Sequence, residues 1–122
     1  MFFRNTYPAL LWAVFILALT LSPAPDLPEV TWITKYHVDK LIHAALFAIL
    51  YYLLMRGLAK QGLHAVTWSI IIVIFYGAAI EILQSVLPTG RSGELTDWLA
   101  DCAGTGIGYI IYARWNGQSA SA

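Results

Sequence analysis

Four carboxylates, a histidine and a lysine stand in this chain at spacings that would let them act together. Asp39, Lys40 and His43 open an apolar run as "DKLIH". Asp39 and His43 are four residues apart, so on a helix they stack on one face. Glu81 and Gln84, in "EILQ", interrupt the end of the oiliest stretch of the chain. Asp97 and Asp101 are again four apart, in "DWLAD", and Arg91 precedes them. Such a set suits three kinds of chemistry. Lys40 and Arg91 can hold a phosphate or a carboxylate, Arg in bidentate fashion, while the acids meet ammonium or hydroxyl groups. His43 can serve as a general base, with Glu81 as the acid, on a lipid-linked substrate. Asp39, His43, Glu81 and Asp97 can hold a divalent metal, since histidine plus carboxylates is a workable donor set. There is no HExxH motif and no serine in a nucleophile elbow, so no metal site, cofactor or catalytic residue is assigned from sequence.

Each group also has a plainer role. Asp39 and Asp97 precede apolar helices and suit N-terminal caps or charges on the helix dipole. His43 can be a hydrogen-bonded packing residue, and Glu81 a structural partner of Arg91 or Lys40. On that reading the cluster orders a helix bundle that docks a partner in an envelope complex.

The elements that position these groups follow from composition. The chain has 122 residues, 59% hydrophobic and only 11% charged, with mean hydropathy +0.66. Soluble domains have about a quarter charged residues, so part of the solvent must be lipid. One domain, 1–122, is expected. Net charge is zero, which gives no electrostatic footprint for nucleic acid. The single cysteine, Cys102, excludes an internal disulfide and a cysteine zinc cluster. Four apolar segments run from about Tyr7 to Leu21, Leu41 to Met55, Ala65 to Leu87 and Trp98 to Trp115. A bilayer core needs about 17–25 helical residues, and no segment alternates as a barrel strand would. The expectation is an all-α, four-helix transmembrane bundle. Arg4 and the "SPA" of Ser22 to Ala24 resemble a signal peptide. Pro25 would follow the cut, so retention of the first helix is preferred.

With four spans, Arg4, Arg56, Lys60 and Arg114 lie on one side, and Lys35, Lys40 and Arg91 with all seven acids fall at or near the other. The lysine and arginine bias puts both termini in the cytoplasm. Tyr51, Tyr52, Trp68, Tyr109, Tyr112 and Trp115 then suit the inner interface, and Trp32, Tyr36 and Trp98 the outer one. Gly77, Glu81, Gln84 and Pro88 form one helical stripe, and Asp97, Asp101, Gly104 and Gly108 form another at the same offsets. Small residues let helices approach closely, and Gly104 and Gly108 have the GxxxG spacing. Packing the small halves together gathers Glu81, Gln84, Asp97 and Asp101, with Asp39 and His43 as a third wall. Glu81 would floor a polar chamber that opens outward.

The stretches "DKLIHAALFAIL", "EILQSVLPTGRSGELTDWLAD" and "GTGIG" resemble the VanZ-like family of small bacterial membrane proteins over 39–109, the motif-bearing core. The matching positions are Asp39, Lys40, His43, Glu81, Gln84, Arg91, Asp97, Gly104 and Gly108. The resemblance implies a multi-pass protein of the bacterial cytoplasmic membrane, in a family whose named member is associated with resistance to the glycopeptide teicoplanin. Membrane lipids and a lipid-linked or glycopeptide ligand are the partners it implies. The family usually carries Asn where this chain has Asp101; the extra acid either makes the chamber more negative and strengthens cation binding or is held protonated, and a mechanism that needs an amide there does not carry over.

Overall fold

Every apolar run becomes a helix, because a backbone removed from water must satisfy its N–H and C=O groups internally. In the computed structural model these are α1 (Phe2–Leu21), α2 (Val38–Leu58), α3 (Leu63–Val86) and α4 (Leu95–Ser119). The structure describes residues 2–22, 38–59, 62–88, 90 and 93–119, and among these there is no strand. The helices outrun the apolar segments, because polar first turns such as Asp39–Lys40 and Thr96–Asp97 are helical too.

Local chemistry sets the ends. Gly62, at φ 71°, takes the left-handed conformation that turns the chain between α2 and α3. Pro88 disfavours helix for the residue before it. Leu87 is accordingly extended, its N–H closing on Leu83 O at 2.9 Å, and α3 stops at Val86. Pro88 thus lies beyond the helix and does not continue the Gly77–Glu81–Gln84 stripe. Glu94 precedes α4, its carbonyl accepting the N–H groups of Asp97 and Trp98 at 3.0 and 3.3 Å.

Contacts along the helices fix their directions. The indole of Trp12 donates to Leu46 O at 2.9 Å, and Tyr76 donates its hydroxyl to Ala13 O. Gln84 Nε2 donates to Thr20 O at 2.8 Å, so α1 and α3 run parallel. The Ser69 hydroxyl meets Met55 Sδ at 3.5 Å, whereas the Gly77 Cα faces Phe47, so α2 and α3 are antiparallel. α2 and α4 run parallel, and their seam is the tightest in the fold. A Cβ on Gly104 would stand 2.7 Å from Ala44 Cα, and one on Gly108 would stand 2.6 Å from Ala48 O. The α4 glycines therefore meet a small-residue stripe on α2, not the Gly77 face of α3 expected from the spacing. Ala44 and Ala48 are the reason: they offer a matching small stripe at the same four-residue interval. Gly77 meets Phe47 and Asp101 instead.

The core holds Ile16, Phe47, Leu50, Tyr51, Met55, Val73 and Ile80. Tyr51 is fully buried and meets Tyr109 edge-on at 6.4 Å, so it is a packing residue and not an interface anchor. The outside is apolar as well, with Leu11, Val14, Leu41, Phe75, Ile82, Val86, Leu99 and Ile110 exposed. Val38–Leu58 and His64–Val86 are long and apolar enough to cross a bilayer, and the latter is only 22% buried within the protein. A core helix of a soluble protein would be mostly covered; this one presents its apolar surface outward, as a lipid-facing helix does.

Candidate functional site

The first turns of α2 and α4 and the last turns of α3 and α1 share one end of the bundle, and the ionisable residues collect there. The tight α2–α4 seam places His43, beside Ala44, against Asp101, one turn from Gly104. His43 Nδ1 lies 2.9 Å from Asp101 Oδ1, and both side chains are buried. Thr105 donates its hydroxyl to Asp101 O, which ties the same turn of α4. Asp101 Oδ2 has no hydrogen-bond partner although it is shielded from solvent. It lies where a side chain at position 77 would sit, 3.0 Å from a Cβ built on Gly77. Glycine on α3 thus makes room for this carboxylate.

Glu81 approaches from α3. Its Oε2 accepts the backbone N–H of Glu94 at 2.8 Å, and its Oε1 is buried without a partner. Gly93 lets the loop approach this closely, since a Cβ there would collide with Glu81 O and Ser85 Oγ. A groove of about 470 Å³ opens beside Glu81, lined by Ala78, Ile82, Val86, Leu95 and Trp98 among others. The Trp98 indole is fixed by a 3.1 Å bond to Ile74 O. A mostly apolar cavity of about 340 Å³ between α1, α2 and α3, lined by Leu50, Leu54, Val73 and Tyr76, does not include the carboxylates.

Lys40 caps the cluster. Its Nζ is 3.4 Å from Asp97 Oδ1 and 3.9 Å from Glu94 Oε2. Donor atoms of Asp39, His43 and Asp97 lie within 4.8 Å of one another, and so do those of His43, Glu81 and Asp101. Either triad has the residue types of a metal-ligand set.

The VanZ/LLP1 family model matches residues 2–116. The chain belongs to the VanZ/LLP1 family. No curated protein and no solved structure matches it.

In this VanZ/LLP1 chain, Asp39, Lys40, His43, Glu81, Asp97 and Asp101 come together. Gln84 is buried; its amide ties α3 to α1 through Thr20 O, while its Oε1 stays unpaired. Arg91 lies outside the described residues, as do Lys35, Lys60, Trp32, Tyr36 and Pro23 to Ala24. Sequence reasoning missed Gly93, Glu94 and Thr20. Glu94 carries a faint signal, being an acid three residues before Asp97 at a helix start; Thr20 carries none, because only tertiary packing brings α1 to Gln84.

Proposed function

We propose that this VanZ/LLP1 protein crosses the bacterial cytoplasmic membrane four times with both termini inside. On this reading its polar cluster faces the extracytoplasmic side and binds a cell-envelope molecule, a lipid headgroup or a glycopeptide such as teicoplanin. The supporting observation is the burial of His43, Glu81, Asp97 and Asp101, from three helices, at one end of an otherwise apolar bundle. Ionisable residues among lipid-facing helices are expensive to keep and mark ligand or ion pathways. Lys40 and Arg91 would meet a phosphate or carboxylate, and the acids an ammonium or hydroxyl group. The apolar walls of the groove beside Glu81 suit a ligand that carries an acyl chain.

A second reading is supported by the His43–Asp101 pair. A buried carboxylate that orients an imidazole is half of a general-base arrangement. A membrane enzyme acting on a lipid-linked substrate, with His43 as base and Glu81 as acid, is the corresponding alternative.

Topology and binding are tested together. On a Cys102→Ala background, Glu94→Cys should react with an impermeant maleimide in intact cells, and Asn116→Cys only after lysis. The reverse pattern refutes the outward-facing site. In nanodiscs, labelled teicoplanin and headgroup-labelled lipids should bind the intact protein and bind at least tenfold more weakly to Asp97→Asn. Turnover of a lipid-linked substrate that vanishes in folded His43→Gln would favour the enzyme instead.

A further inference from the structure

We propose that His43, Glu81 and Asp101 hold one first-row divalent cation, with a coordination position left open towards the envelope molecule. The inference rests on reading this cluster as a ligand site. It starts from two oxygen atoms. Glu81 is 8% exposed and Asp101 1% exposed, yet Glu81 Oε1 and Asp101 Oδ2 are buried with nothing to bond. A buried polar atom left unsatisfied is unfavourable, and a carboxylate oxygen more so. Among the described residues no salt bridge reaches Glu81; Lys40 is engaged by Asp97 and Glu94.

A cation resolves both. The donor atoms of the three side chains lie within 4.8 Å of one another. With metal–ligand bonds of about 2.0–2.2 Å, neighbouring donors on one ion stand roughly 3–3.5 Å apart, and opposite ones about 4.2 Å. The 2.9 Å hydrogen bond of His43 Nδ1 is to Asp101 Oδ1, so it leaves Oδ2 as the free donor of that carboxylate. Side-chain closure of roughly 1–2 Å brings all three onto one ion. One imidazole with two carboxylates suits zinc, iron or manganese rather than the all-oxygen cages of calcium and magnesium. Three protein ligands also leave a position for a phosphate or hydroxyl oxygen, as in open metal sites.

The competing triad, Asp39, His43 and Asp97, shares His43, so one ion chooses between them. Asp97 is already paired with Lys40, and neither Asp97 nor Asp39 has an orphaned buried oxygen. The backbone N–H of Glu94 favours the deeper set, because it holds Glu81 Oε2 and leaves Oε1 as the free donor.

The test uses the full chain without a histidine tag, stripped with EDTA and reconstituted in nanodiscs without any envelope ligand. Zinc and manganese are added separately and binding is followed by calorimetry and elemental analysis. Wild type should take up one equivalent of zinc or manganese. Glu81→Gln and Asp101→Asn should each weaken uptake about 100-fold, with helical content and elution volume unchanged. His64→Gln, an exposed histidine on α3, should bind as wild type does. No stoichiometric uptake by the wild type overturns the proposal, as does loss in Asp39→Asn and Asp97→Asn with retention in Glu81→Gln. If envelope-ligand binding persists in a wild type that takes up no metal, the cation site fails and the binding reading stands. If the metal binds and no envelope molecule does, the binding reading fails and the cation site stands.

Discussion

Replacing Gly104 by alanine should open the seam on which the polar cluster is built. The added Cβ would stand 2.7 Å from Ala44 Cα and 2.8 Å from Ala44 C, with the carbonyl oxygen closer still. Carbon atoms in good contact are about 3.5–4.0 Å apart, so α2 and α4 must part locally by about 1 Å. Overpacking on that scale costs about 1–3 kcal/mol. The displacement falls on the candidate site, because Ala44 follows His43 and Gly104 is one turn from Asp101. Widening their 2.9 Å contact by about 1 Å breaks the hydrogen bond. Gly106→Ala is the matched control: nothing lies within 4 Å of the Cβ it adds. Losing a mid-helix glycine there favours the helix by about 0.5–1 kcal/mol. The assay is reversible denaturation of the detergent-solubilised protein, followed by circular dichroism. Gly104→Ala should lose about 1–3 kcal/mol, and Gly106→Ala should match or exceed wild type. Equal stability of the two variants would refute the close-seam argument.

Asp101→Leu should destabilise the fold by about 1–3 kcal/mol, because it strands a buried His43 nitrogen. Asp101→Asn keeps an acceptor oxygen and should lose less, and the opposite order in the same denaturation assay would count against the His43–Asp101 bond. A double-mutant cycle with Lys40→Met and Asp97→Asn should give a coupling of about 1 kcal/mol or less, since the Lys40 side chain is 33% exposed. Raising the salt to about 1 M should erase most of it, and a salt-independent coupling would mean that the pair is deeper than the structure places it.

Much of the architecture was legible in the residues. The four helices follow from apolar runs too polar-poor for water, and their ends from particular residues: Pro88 stops α3, and Gly62 turns the chain before it. The spacing Asp39 to His43 and Asp97 to Asp101 put each pair on one helical face. The pattern fell short where a helix has no preferred side. α2 is apolar nearly all round, so its sequence does not say which helix it meets. The glycines of α4 were consequently matched to α3, whereas Ala44 and Ala48 draw them to α2.

The sequence alone determined that the chain is helical, that part of its solvent is lipid, and that its carboxylates stand near helix ends rather than at mid-span. These follow from hydrophobicity and from the 3.6-residue period, which are properties of each segment by itself. Tertiary structure decided the partners: His43 with Asp101, Glu81 with the Glu94 backbone, and Gln84 with α1. Rotation of one helix against another is set by how small and large side chains interlock, and that is a property of pairs of segments.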